Sequence, residues 1–141
     1  MRYIKLYEQA QPEKRVTYRP NDSIEYEVWS QNGKLDRKEG PAYIEYYANG
    51  SVRYEAWYQN DKLYREDGPA RIKYYPNSSV ELERWYQNDK PHREDGPAKI
   101  VYYSNGSVKS DAWYWHGEKV EDITSLEDFR AWQYLKSVGL V

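Results

Sequence analysis

The chain of 141 residues has no cysteine, a single methionine, a single phenylalanine and two histidines. Without cysteine there is no disulfide framework and no thiolate metal site, a composition that suits a reducing compartment. Charge of one sign is lacking too: 21 Lys and Arg stand against 23 Asp and Glu, a net of −2. No long-range field therefore draws the chain to DNA, RNA or an anionic membrane surface. No apolar run approaches the roughly 18 residues of a membrane span. The opening stretch from Met1 to Gln9 lacks the apolar core of a secretion signal, and a cytoplasmic location is expected. Also missing are G-x-S-x-G, a Walker loop and H-E-x-x-H.

What is abundant is aromatic. Seventeen Tyr and six Trp raise the aromatic share to 17%, a skew that favours strands and is wrong for a solvated coil despite a mean hydropathy of −1.14. Trp29, Trp57, Trp85 and Trp113 stand 28 residues apart, as do Gly40, Gly68 and Gly96, each opening a Gly-Pro-Ala. Ile44, Ile72 and Ile100 keep the same step, and so do Asn49, Asn77 and Asn105 and the pairs Tyr46-Tyr47, Tyr74-Tyr75 and Tyr102-Tyr103. A unit of this length is one supersecondary element that needs stacked neighbours to bury its face. Residues 1–141 are expected to form one repeat domain: a degenerate cap over 1–28, repeats at 29–56, 57–84 and 85–112, and a partial repeat with a helix over 113–141. In that last stretch Thr124 with Glu127, or Ser125 with Asp128, offers a helix start. Leu126, Phe129, Trp132 and Leu135 form an apolar stripe at helical spacing, and Gly139 supplies a stop.

The fold class expected is all-β: an antiparallel meander of 28-residue β-hairpin repeats, about seven or eight strands, closed by a short C-terminal capping helix. Each A-x-I-x-Y-Y run followed by x-N-G-S-V reads as strand, turn, strand. A three-residue loop sets Tyr46 opposite Val52, Ile44 opposite Tyr54 and Ala42 opposite Ala56, with Gly50 in the left-handed bulge position. The same count places Glu45 opposite Arg53, Lys73 opposite Glu81, Arg71 opposite Glu83, Lys99 opposite Asp111 and Arg15 opposite Glu27, all of opposite sign. It predicts one face lined by Val16, Tyr18, Ile24, Tyr26, Ile44, Tyr46, Tyr54, Ile72, Leu82 and Ile100. The other, amphipathic face carries Tyr43, Tyr47, Tyr75 and Tyr103, with the repeated Trp by parity. A second turn follows each Trp, at Asn32-Gly33, Asn60-Asp61, Asn88-Asp89 and His116-Gly117.

Candidate chemistry is sparse. His116 occupies a turn slot held by Asn in the other units, and His92 one held by Asp36 and Tyr64, so neither repeats as a catalytic group would. The R-E-D triplets recur because the fold recurs, which argues against a dedicated acid pair for glycoside hydrolysis. Arg37, Arg65 and Arg93 are expected to close turns internally with the acids before each Gly-Pro-Ala. The four N-x-S triplets are explained by hairpin chemistry rather than by glycosylation. No catalytic residue, cofactor or metal ligand is predicted.

The W-Y-Q-N-D-K-x-x-R-E-D-G-P-A pattern and the Y-Y-x-N-G-S-V hairpin, over about residues 15 to 120, resemble the MORN-like repeats of phage, giant-virus and bacterial proteins. The resemblance implies a hairpin repeat that engages a protein partner, of the kind found in antitoxin-like proteins and scaffolds, and for a phage-encoded chain a place in the host cytoplasm. It carries no catalytic residue. The ordinary unit of that family is shorter and lacks Gly-Pro-Ala, so its lipid-binding role is not carried over. The function expected is a non-enzymatic protein-binding module, a phage-encoded or antitoxin-like inhibitor of a bacterial protein, without a membrane and with self-association through sheet edges open to it. Aromatic residues with interspersed Arg suit binding hot spots, and Tyr43, Tyr47, Arg53, Trp57, Tyr75, Trp85 and Tyr103 are the candidate partner-binding residues. Two alternatives use the same aromatics: a nucleic-acid or nucleotide binder that stacks bases and holds phosphates with Arg53, Arg71 and Lys99, and a carbohydrate binder with Trp platforms. Repeat logic further predicts that interior Trp85 matters more to stability than Trp29 near the degenerate end.

Overall fold

The computed structural model describes residues 11–141, so the first ten residues of the expected N-terminal cap lie outside the described part. The architecture is an antiparallel meander of hairpins with one C-terminal helix. Eight longer strands, Glu13–Tyr18, Ile24–Gln31, Tyr43–Tyr46, Val52–Ala56, Arg71–Tyr74, Val80–Arg84, Lys99–Tyr102 and Val108–Trp115, lie side by side in chain order. Beyond the Trp of each unit the chain turns into a short arm, as where Tyr58–Gln59 pairs with Lys62–Leu63 and Tyr86–Gln87 with Lys90–Pro91.

Both turn types follow from local chemistry. At the first, the Gly50 amide donates to Tyr47 O (2.9 Å) and the Tyr47 amide to Ser51 O (2.8 Å), enclosing a three-residue loop with Gly50 at φ +83°. The Asn49 carboxamide accepts from the Ser51 amide (3.0 Å) and hydroxyl (2.7 Å), which is why Asn-x-Ser recurs at Asn21, Asn77 and Asn105 with the same bonds. At the second turn, both residues of Asn32-Gly33, Asn60-Asp61, Asn88-Asp89 and His116-Gly117 have positive φ, as a type I′ turn requires.

The register departs from the expected one past the first turn. Tyr46 faces Val52 as predicted, but the ladder then shifts, and Glu45 faces Tyr54, Ile44 faces Glu55 and Tyr43 faces Ala56. The same shift occurs between Thr17 and Tyr18, Lys73 and Tyr74, and Val101 and Tyr102. One residue per returning strand, Glu25, Arg53, Glu81 or Lys109, is therefore extra: a β-bulge. The bulged residues keep two of the expected ion pairs, Arg53–Glu45 and Lys73–Glu81, each at 2.8 Å. Beyond the bulge the other three pairings are replaced: Arg71 faces Arg84, Lys99 faces Ala112 and Arg84, and Arg15 faces Val28.

A one-residue slip moves every following side chain to the opposite face, so the expected apolar face is divided. Alternation along the paired strands sets Ile44, Tyr46, Ile72, Tyr74, Ile100, Tyr102 and Trp29 with Glu27, Glu55 and Glu83 on one side. Tyr26, Tyr43, Tyr54 and Leu82 lie on the other. Carboxylates on a half-buried face are tolerated because each is bonded: Tyr46 Oη donates to Glu27 (2.9 Å), Tyr74 Oη to Glu55 (2.9 Å) and Tyr102 Oη to Glu83 (2.8 Å). Glu27 also pairs with Lys14 at 2.6 Å.

The core is a chain of small clusters. Ala42, Ala56, Ala70 and Ala98 are fully or almost fully buried, and Leu63 and Tyr86 close over Ala56 and Ala70. At the C-terminal end the helix Leu126–Ser137 starts at Ser125, whose hydroxyl accepts from the Asp128 amide, so Ser125 with Asp128 is the start used. It ends with the Leu140 amide on Leu135 O and the Gly139 amide on Lys136 O, Gly139 being at φ +73°. Phe129, fully buried, inserts against Trp113 (4.8 Å) and Trp132 (6.0 Å), and covers the last repeat.

Candidate binding surface

Each Gly-Pro-Ala turn is built around an arginine. Arg37, Arg65 and Arg93 donate to Pro41 O, Pro69 O and Pro97 O at 3.1–3.3 Å. Their guanidinium carbons sit 3.9, 4.1 and 4.0 Å from the ring centroids of Trp29, Trp57 and Trp85. Arg65 and Arg93 also reach Asp67 (3.4 Å) and Asp95 (2.8 Å), and the Arg93 bond holds the Asp95 carboxyl below its ordinary range. The internal pairing with an acid expected of these arginines is present at Arg65 and Arg93, while Arg37 is held by the Pro41 carbonyl and the Trp29 ring. This arrangement also explains the glycine: a Cβ at position 68 would lie 2.8 Å from the Arg65 guanidinium carbon, and at position 96 it would lie 2.9 Å from that of Arg93.

Between successive arms the surface opens into grooves. One of about 820 Å³ is lined by Arg37–Gly40, Trp57, Tyr64 and Asp67, and one of about 660 Å³ by Tyr64–Pro69, Trp85, His92 and Asp95. A third, about 640 Å³, flanks Trp29. The rim is acidic and solvated: the Asp67, Glu94 and Asp95 side chains are 88%, 78% and 75% exposed. The Trp rings are walls rather than free platforms, because each carries an arginine on one face.

The seven candidate residues separate into two sets. Trp57 and Trp85 line the grooves. Tyr43, Tyr47 and Arg53 belong to the opposite side of the sheet, where Tyr43 stacks on Tyr26 at 5.8 Å and Arg53 lies 5.8 Å from the Tyr47 ring. Tyr47 and Tyr75 tie repeats together, their hydroxyls donating to Tyr74 O (2.7 Å) and Tyr102 O (2.9 Å) one unit further on. Tyr103 is half exposed, with Lys109 over its ring. Trp85 is half-buried while Trp29 is buried between Arg37 and Lys14, the reverse of the order expected from repeat logic.

His92 has a definable task. Its Nδ1 accepts from the His116 amide at 3.1 Å, the job done two repeats earlier by Asp36, which accepts from the Asn60 amide at 3.2 Å. Burial, and then the neighbouring His116, push its imidazole below the ordinary value. Burial and the bonds to Glu27 and Glu83 push the Tyr46 and Tyr102 phenols up to about 12. The only trace of these Tyr–Glu links in the sequence is an offset of 19 residues that recurs with the repeat. Also unanticipated is Arg84, which stands at the step of Val28, Ala56 and Ala112. Among the described residues no group of three or more His, Asp or Glu is placed to hold a metal ion, and no helix is long and apolar enough to cross a membrane. Comparison with known protein families, with curated proteins and with solved structures returns no match.

Proposed function

We propose that this chain is a non-enzymatic protein-binding repeat module whose contact surface is the row of grooves between successive Arg-Glu-Asp arms. The observation that carries the reading is the repetition of one groove type along a sheet: Trp and Arg form each wall, and outward-pointing carboxylates form the rim. The walls are held by hydrogen bonds and cation–π stacking, so little side-chain entropy is left to lose on binding. Rim carboxylates repeated at a fixed interval suit an extended partner segment with spaced basic side chains. The MORN-like resemblance adds the form such a module would take: an antitoxin-like inhibitor of a bacterial protein, phage-encoded and acting in the host cytoplasm.

The test is affinity capture from bacterial lysate with the wild-type chain and with an Asp67→Lys/Glu94→Lys variant, whose changes lie on exposed side chains and leave the fold intact. A partner held by the wild type is expected to be lost with the double reversal and kept by Tyr103→Ala, which is away from the grooves. A partner retained equally by all three proteins would sink the groove assignment.

A further inference from the structure

Arg71, Arg84 and Lys99 stand directly side by side on three neighbouring strands, since Arg71 faces Arg84 and Arg84 faces Lys99. Neighbouring strands are about 4.8 Å apart, so three cations occupy a span of about 10 Å on one face. Like charges placed directly opposite repel, and what stands beside Arg71 is phenolic rather than ionic: its side chain is hydrogen-bonded to Tyr58 and lies near Tyr54 and Tyr86. None of the three forms an ion pair among the described residues. The carboxylates of Glu55 and Glu83 are on the other face, bonded to Tyr74 and Tyr102, and Glu45 and Glu81 are taken by Arg53 and Lys73.

Two further observations make this a site rather than a crowded surface. The Nε atoms of Arg71 and Arg84 are both buried and both lack a hydrogen-bond partner among the described residues, a costly state for charged donors. The repeat itself marks the place: position 84 holds Val28, Ala56 and Ala112 in the other units, and Ala56 is fully buried. Folding alone asks for a small apolar residue there. The surroundings are aromatic, with the Tyr86 ring 5.5 Å from the Arg71 guanidinium, the Tyr86 hydroxyl 3.4 Å from Arg84 Nη1, and Tyr114 beside Arg84 and Lys99.

We propose that Arg71, Arg84 and Lys99 form a binding site for a phosphate monoester group, with Tyr86 and Tyr114 beside it. A single carboxylate would leave most of the positive charge uncompensated, whereas a dianionic phosphate matches more of it and has acceptor oxygens enough for the outer donors of more than one of these side chains. This site is separate from the grooves and does not depend on the protein-binding reading.

The experiment is thermal melting of the full chain at constant ionic strength in chloride, inorganic phosphate, phenyl phosphate or acetate, with Kd measured by calorimetry. Phosphate or phenyl phosphate is expected to raise the midpoint of the wild type while acetate does not. A tighter Kd for phenyl phosphate identifies the phosphate as part of a larger aromatic molecule, and equal affinities identify free phosphate. Arg84→Ala, which restores the residue of the neighbouring repeats, is expected to melt no lower than the wild type in chloride and to weaken phosphate binding at least tenfold. Arg71→Gln, read by calorimetry, supplies a second variant with the same expected loss. Absence of binding by either phosphate, an equal response to acetate, or unchanged affinity in both variants would overturn the proposal.

Discussion

Replacing Gly68 by alanine isolates the reason for the Gly-Pro-Ala signature. The backbone at Gly68 is not in the left-handed region, so a Cβ meets no conformational penalty there and even lowers the entropy of the unfolded chain, worth about 0.4–1 kcal/mol. What it meets is Arg65: the guanidinium carbon at 2.8 Å, Nε at 2.9 Å and Nη1 at 3.2 Å. The guanidinium must move, and it then loses the Trp57 ring, about 0.5–2 kcal/mol, and the 3.3 Å bond to Pro69 O, about 1.5 kcal/mol at the low end for a charged donor. The Asp67 carboxylate is too exposed to matter. The net loss is about 1–3 kcal/mol, a fall in Tm of roughly 3–10 °C for a domain of this size. In an Arg65→Ala background the three atoms nearest the methyl are gone, and Gly68→Ala should become neutral or slightly stabilising. Thermal and urea melts of the four proteins of this double-mutant cycle measure the coupling. Equal destabilisation with and without Arg65 would refute the argument and return the glycine to a backbone requirement.

Trp29→Ala should lower the midpoint at least as much as Trp85→Ala, because Trp29 is the more buried ring; loss of a buried Trp costs about 3–5 kcal/mol, and a larger fall for Trp85→Ala in parallel melts would contradict the burial order. Burial holds the His92 imidazole below 6.5, so the folded state binds fewer protons than the unfolded one. Its contribution is present above pH 6.5 and lost as pH falls towards the depressed value; urea midpoints between pH 7.5 and 5.5 should decline, and less so in His92→Gln. Tyr46 and Tyr102 are raised from 10.0 to about 12, so their contribution holds below pH 10 and is lost as pH rises through 12, and Tyr46→Phe should flatten the alkaline limb of the stability curve.

The candidate site was legible in part. Trp57 and Trp85 were found because they repeat, and they do line the grooves. Tyr47 and Tyr75 were read as contact residues, yet their hydroxyls bind the next repeat, because a strand offset of one unit brings each within reach of a carbonyl. Arg71 and Lys99 are legible in the sequence as phosphate-holding candidates together with Arg53, whereas Arg84 between them is not, since only strand pairing makes it their neighbour.

By itself the sequence determined the 28-residue period, the two turns of each unit and the helix at the end, because these depend on residues close in the chain: Asn with Ser two positions on, two residues able to take positive φ, Ser125 with Asp128. Only the tertiary structure decided the faces of the sheet. A bulge of one residue is worth little locally, and its reason lies in a neighbouring strand, where the Glu27, Glu55 and Glu83 carboxylates wait for the hydroxyls of Tyr46, Tyr74 and Tyr102. That slip moves Tyr54 and Leu82 to the face opposite Ile44 and sets Arg71, Arg84 and Lys99 in one row. Alternation along a single strand cannot reveal it, because the bonds that favour it join residues 19 positions apart.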